Sequence, residues 1–383
     1  MFLSMIYADY NATAPLRPEA RAEMLAALEC SANPSSVHAA GRSARKVLER
    51  ARQQVGTAIG SRAQDVILTS GGTEANALAI QGAVNALGGE ATLLVSAIEH
   101  EAVSKAAAHA GVTVETVYVR PDGRADLDWL EDRLRRWDHA QSGMPVLSLM
   151  LANNETGVIQ PVREAASLVR EAGGLIHCDA VQGLGKIAVN VALLGVDYLS
   201  LSAHKAGGPQ GAGALWLRAG APLKALQYGG GQERSLRSGT ENLSGIAGFG
   251  AAAEAAVAEL AMFEGLAVHR NAMEEKLKAA GAVIMGEGSP RLANTSNFAR
   301  AGLRSETQIM ALDLDGICVS AGAACSSGKV NRSLVLSAMG ASDALAESAI
   351  RASFGCMSKA QDFDALADSW IRIASRARRK EEA

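Results

Sequence analysis

The sequence predicts an α/β protein in two parts. A large domain with a mostly parallel sheet covers residues 15–262, and a smaller α+β domain combines residues 1–14 with residues 263–383. Three observations predict this. Short apolar runs alternate with amphipathic helical windows from Arg17 to Arg218. Near Gly265 that alternation becomes irregular. A chain of 383 residues that is 48% hydrophobic exceeds one small core.

The strands expected in the first part are Asp65–Thr69, Thr92–Ser96, Val114–Val119, Val146–Ala152, Leu175–Cys178 and Tyr198–Ser202. Strands separated by helical stretches read as crossover units, which build parallel sheets. The windows Ala102–Ala110 and Ser244–Leu260 are alanine-rich and favour helix. Beyond Gly265 a helical window, His269–Ala280, precedes strand-like pieces at Ala282–Met285, Asn294–Phe298 and Ile317–Ser320, with further helical windows after them. The stretch through Pro15 is too short for a domain and is expected to pack with the C-terminal half. The charged tail Arg376–Ala383 is expected to fray.

Composition narrows the function. A net charge of -3 argues against a nucleic-acid or anionic-membrane surface. Met1–Tyr10 has no basic leader with an apolar run, and Glu254 and Glu259 interrupt the apolar stretch Ala251–Met262. A cytoplasmic protein is expected. The five cysteines are an odd number without CxxC spacing, so neither a disulfide framework nor a metal site is expected.

The chemistry concentrates at strand ends. Ser202-Ala203-His204-Lys205 is followed by Gly207-Gly208-Pro209-Gln210-Gly211. A lysine directly after an apolar strand, framed by small residues, is poorly explained as a solvated charge. Desolvation can lower the pKa of such an amine and let it condense with an aldehyde. His177-Cys178-Asp179-Ala180-Val181-Gln182 ends the preceding strand. There Asp179 serves equally well as a helix N-cap or as the carboxylate that keeps a pyridinium nitrogen protonated. Thr69-Ser70-Gly71-Gly72-Thr73-Glu74-Ala75-Asn76 carries a strand into a helix, whose free N–H groups and Thr73 hydroxyl make an anion cradle or an ordinary cap.

Four more residues join these. His100 follows a strand, where a flat ring can stack on a cofactor and move protons, or simply be a satisfied histidine. Asn154 lies past another strand as a turn former or a ligand. Cys325 sits in Ser320-Ala321-Gly322-Ala323-Ala324-Cys325-Ser326-Ser327-Gly328, a run of small residues expected to be a loop bearing a reactive thiol or a bystander cysteine. Arg351, expected after a helix and before a strand-like turn, can fork onto a carboxylate or be a surface arginine.

Together these segments resemble the cysteine desulfurases of the NifS/IscS type, within the class V aminotransferase-like, fold-type-I pyridoxal-phosphate enzymes. The resemblance runs nearly end to end. It also includes Tyr7-Ala8-Asp9-Tyr10-Asn11-Ala12-Thr13, Asn33-Pro34-Ser35-Ser36-Val37-His38 and Arg237-Ser238-Gly239-Thr240-Glu241-Asn242. It implies pyridoxal 5′-phosphate held on Lys205 as a Schiff base, with Asp179 on the ring nitrogen and Gln182 on the ring hydroxyl. His100 would stack and act as acid/base; Thr73, Ser202 and His204 would hold the phosphate, and Asn154 would touch the cofactor. Thr240 would reach the neighbouring subunit's phosphate site, which implies a homodimer. Asn33 and Arg351 would bind the substrate L-cysteine, and Cys325 would receive its sulfur as a persulfide for a sulfur acceptor such as an iron–sulfur scaffold. Through that persulfide Cys325 could transiently contact an iron–sulfur cluster.

The pattern departs at Ala14, Ala77 and Ala323, where the family often has Thr, Asn and Ser. After Cys325 the usual Leu-Glu-Pro-Ser becomes Val330-Asn331-Arg332-Ser333. An aminotransferase or lyase on the same scaffold would use Lys205 and Asp179 and leave Cys325 idle. A kynureninase-like hydrolase and a non-catalytic scaffold are further alternatives. The acceptor, whether for cluster assembly, nitrogenase maturation or tRNA thiolation, stays open at this level.

Overall fold

Apolar runs bounded by glycine and polar turns form the centre of the molecule. The computed structural model describes residues 5–30, 32–321 and 332–381, so Cys325 lies outside the described residues. Thirteen strands occur among them. They are β1 (Ile6–Tyr7), β2 (Val66–Thr69), β3 (Ala91–Ser96), β4 (Thr113–Val117), β5 (Met144–Ser148), β6 (Leu175–Asp179), β7 (Tyr198–Ser202), β8 (Gly213–Leu217), β9 (Val283–Ile284), β10 (Thr295–Ala299), β11 (Ile317–Cys318), β12 (Ser320–Ala321) and β13 (Ile350–Ser353).

Seven of these make the main sheet, in the order β2-β8-β7-β6-β5-β3-β4. All its strands run parallel except β8, which is antiparallel to both β2 and β7. The inner strands β3, β6 and β7 are buried at every residue, as sheets covered by helices on both faces require. At the edge, β4 exposes Thr113, Val114 and Thr116 while burying Val117. His177 ties three strands together. Its ring meets Ser148 Oγ at 2.8 Å and Ser200 Oγ at 2.9 Å, and burial pushes its pKa down to about 3, so it is a neutral structural side chain.

Helices cover both faces. The helix Leu243–Ala258 packs on Pro18–Leu28 and Ala39–Ala58 through small residues. A Cβ on Gly250 would meet the Ala51 Cα at 2.7 Å, so a side chain there would force the helices apart. The helix breaks at Glu259 with a 63° bend, and Leu260–Ala279 continues toward a second sheet. Thus the expected window His269–Ala280 is the latter part of a longer helix, and Gly265 lies inside it. Glu259 pairs with Arg17 at 2.6 Å across this corner.

The second sheet is antiparallel, in the order β12-β13-β10-β9, and Phe298 of β10 is fully buried together with Phe354 and Trp370. Phe354 stacks on Phe363 at 3.7 Å. The N-terminal strand β1 pairs in parallel with β11, matching Ile6 to Ile317 and Tyr7 to Cys318. Asp9 then bridges to Ser353. No single helix among the described residues is long and apolar enough to cross a membrane.

Candidate active site

The carboxyl ends of the parallel strands converge on one cavity of about 300 Å³. It is lined by Thr73, His100, Asn154, Asp179, Gln182, Ser202, His204, Lys205 and Arg351, together with Asn11, Gly72 and Asn76. The expected residues Asn33 and Thr240 do not line it. Both are exposed, and the Asn33 carboxamide accepts from Ser35 N at 2.8 Å.

Each side chain is set by the element that carries it. Lys205 ends a single helical turn, Ala203–Lys205, that follows β7. Its Nζ donates to the backbone carbonyls of Asn11 at 2.5 Å and Ala12 at 2.7 Å. The N-terminal loop therefore holds the lysine in place. Asp179 ends β6 and is buried. Its Oδ2 accepts from Asn76 Nδ2 at 2.7 Å and its Oδ1 from Val181 N at 2.9 Å, so the carboxylate is fixed with lone pairs still available.

The helix Gly72–Ala86 opens beside these groups. A Cβ on Gly72 would meet Val181 Cγ2 at 2.8 Å and Ser202 Cβ at 3.3 Å. Glycine keeps the cradle open there. Glu74 accepts from Ser70 N at 2.8 Å and from Arg237 Nε at 2.7 Å, which ties the segment bearing Thr240 to this helix. The partners also lower the Glu74 pKa against the effect of its burial.

His100 caps the helix Glu101–Ala108, with Nδ1 accepting from Ala102 N at 3.0 Å. A neutral ring so held carries its proton on Nε2. His204 shares a hydrogen bond with Thr13 Oγ1 at 3.1 Å, and burial with nearby Lys205 and Lys186 pushes its pKa down to about 4. Arg351 sits within β13, not ahead of a turn as the sequence suggested, because Ile350–Ser353 pairs with both β10 and β12. Its guanidinium donates to Asp9 Oδ1 at 2.7 Å and to Asn154 O at 3.0 Å, and its Nε is buried without an acceptor.

Some residues of the site had no individual signal in the sequence. Asn11 and Asn76 lay inside motifs noted for other members. Asp9 joins Arg351 to Ser320, whose Oγ donates to it at 2.7 Å. Glu155 follows Asn154; burial raises its pKa, and it accepts from Ser333 Oγ at 2.5 Å. Ser320 and Ser333 are thus both tied to the surroundings of Arg351.

Glu99 gives a pH prediction. The residue is half-buried but its carboxyl is sealed from water, with Oε1 accepting from Met150 N at 2.6 Å and Oε2 unpartnered. Burial, then the nearby charge of Asp179, pushes its pKa from 4.5 up to about 8. The native state thus holds a proton that the unfolded chain releases near 4.5. In that window the native state binds more protons, so this group's contribution to stability falls as pH rises toward about 8. Glu99→Gln should remove this trend. Melting temperatures of the two proteins, measured from about pH 5 to pH 8, should diverge in favour of the variant as pH rises, and parallel curves would contradict the assignment.

The chain is similar to known proteins along almost its whole length. The family description Aminotransferase class-V matches residues 6–366. The chain is 39% identical over 381 residues to Cysteine desulfurase IscS of Dictyoglomus turgidum, covering 97% of this chain and 95% of that one. It is 41% identical over 372 residues to a cysteine desulfurase of Cereibacter sphaeroides, covering 95% and 94%. The solved NifS-like protein of Rickettsia africae superposes with a TM-score of 0.89 at 32% identity, covering 97% of this chain and 99% of the other.

Proposed function

The chain belongs to the class-V aminotransferase family, and on that premise we propose that it is a pyridoxal-phosphate-dependent cysteine desulfurase. It would convert L-cysteine to L-alanine and pass the sulfur through Cys325 to an acceptor protein such as an iron–sulfur scaffold. The observation that carries this reading is the meeting of Lys205, Asp179, His100 and Arg351 in one cavity at the strand ends.

The residues present fit the cofactor. Lys205 supplies the amine, the fixed Asp179 carboxylate suits a pyridine N–H, and the cradle that Gly72 keeps open suits a phosphate. Thr73, Ser202 and His204 would hold that phosphate, with Gln182 and Asn154 at the ring. When bound, pyridoxal phosphate supplies an electron sink that lets an amino acid lose its α-proton.

The chain's own residues do the rest. Arg351 binds the substrate carboxylate with a guanidinium that Asp9 and Asn154 already orient. Asn33 would join it once the substrate is bound. Lys205 Nζ, released from the Asn11 and Ala12 carbonyls, takes up the α-proton. His100, whose Nδ1 accepts from Ala102 N, would move protons at the cofactor through its other ring nitrogen. A thiolate at Cys325 attacks the substrate sulfur, forming a sulfur–sulfur bond as the carbon–sulfur bond breaks. The electron pair of the broken bond stays with the carbon skeleton, which takes up a proton and leaves as alanine. Incubation of the purified protein with cysteine should yield alanine and, with a thiol reductant, sulfide in equal amounts. Pyruvate or another keto acid in place of alanine would favour a lyase or aminotransferase.

Thr240 belongs to this proposal as a contribution across a homodimer. It is exposed, absent from its own chain's cavity, and linked through Arg237 to the cradle helix. Thr240→Val should leave the dimer intact and weaken cofactor retention by about tenfold, the value of roughly one charged hydrogen bond. Sedimentation together with cofactor titration reads both, and a fully active monomer would rule the shared site out.

A further inference from the structure

Lys186 has no place in the steps above, yet it is only 3% exposed beside the cavity. Gly185 precedes it at φ +74°, and a Cβ there would meet Ala256 Cβ at 2.5 Å. The turn is therefore pressed against the helix Leu243–Ala258, and Lys186 is directed inward. Its Nζ donates to Asn11 Oδ1 at 2.7 Å and to Gln182 Oε1. Neither acceptor is charged. Burial, with Lys205 and Arg351 nearby, holds the Lys186 pKa well below the usual lysine range. In either protonation state the nitrogen can donate to both oxygens.

This arrangement fixes Gln182. The Gln182 oxygen accepts from the lysine nitrogen, and the Gln182 nitrogen is turned the other way to donate to the N-terminal loop. One of that nitrogen's N–H groups donates to Asn11 O at 2.9 Å, the same carbonyl that receives Lys205. The other meets no acceptor among the described residues, and Gln182 lines the cavity.

We propose that Lys186 is a positioning residue that holds the Gln182 oxygen, so that Gln182 presents an N–H and never a carbonyl to the ring oxygen of the bound cofactor. The inference rests on the cofactor reading above. A donor on that oxygen draws off part of its negative charge. With the cofactor bound, such a donor would lower the pH at which the Lys205 amine loses its proton there. The charged or titratable groups around it are Lys205, Arg351, Asp179, His100 and His204.

The test is a pH titration of the visible absorbance of the holoenzyme, with the apoenzyme's affinity for pyridoxal phosphate measured alongside. Lys186→Met should raise the titration midpoint by about one pH unit, and Lys186→Gln, which keeps N–H donors, should shift it less. Adding Lys186→Met to a Gln182→Ala protein should shift nothing further. A full additional shift in that background would assign the effect to the lysine's charge and overturn the positioning role. An unmoved midpoint in both Lys186 variants would also overturn it. A wild type that binds no cofactor and develops no visible band would instead sink the cofactor reading itself.

Discussion

Lys205→Ala should lower alanine formation from cysteine by roughly 10⁴-fold or more, since it removes both the covalent tether and a proton carrier. The cofactor should still bind, though more weakly, because Asp179 and the Gly72 cradle are built independently of the lysine. The wild type should be yellow, and borohydride reduction should fix the cofactor's mass onto the peptide containing Lys205. The variant should give no such adduct. The structure makes this test specific, because Lys186 is a second buried amine tied to the same Asn11. An adduct that maps to Lys186, or full activity without Lys205, would overturn the assignment.

The site was readable in the sequence where a residue ends a buried strand. Tyr198–Ser202 is buried at every position, so its apolar run and its length both show, and Lys205 follows directly. The same holds for Leu175–Asp179 and Asp179 itself. Val146–Ala152 reads as one run although β5 stops at Ser148, because Leu149 and Leu151 continue to bond beside β6 through His177 O and Asp179 O. Local pattern fails where partners are distant. The strand Gly213–Leu217 follows a glycine-rich stretch, and its antiparallel insertion between β2 and β7 is a property of the assembled sheet.

Polar networks were equally hidden. Asn11 accepts from or donates to Lys186, Gln182, Lys205, Asn294 and Thr295, residues far apart in sequence, and no spacing rule announces that. Asn33 and Thr240 were read by resemblance alone, and both stand outside their own chain's cavity. Thr240 is exposed, three residues after Arg237, which pairs with Glu74 on the helix Gly72–Ala86.

Cys325→Ala should retain cofactor binding and the spectral response to added cysteine, yet release sulfide and alanine about 10³-fold more slowly, as expected when a covalent nucleophile is lost. Ala321 ends β12, whose Ser320 stands opposite Arg351 in register and bonds Asp9, the carboxylate that orients Arg351. Ser333 starts the helix Leu334–Ala338 and bonds the buried carboxyl of Glu155, next to Asn154. In sequence Cys325 falls four residues after Ala321 and eight before Ser333, and both of these flank the residues proposed to hold the substrate carboxylate. Cys30, Cys178, Cys318 and Cys356 are free thiols, and none lines the cavity. Cys178 is buried and its pKa is held far above the usual thiol range by desolvation, then by Asp179 and Glu99, so it supplies no thiolate. Replacing any of these four should therefore spare sulfur release. Mass spectrometry after brief exposure to cysteine should find one added sulfur on the peptide containing Cys325. Sulfur on another peptide, or normal turnover by Cys325→Ala, would show that this site does not transfer sulfur through Cys325.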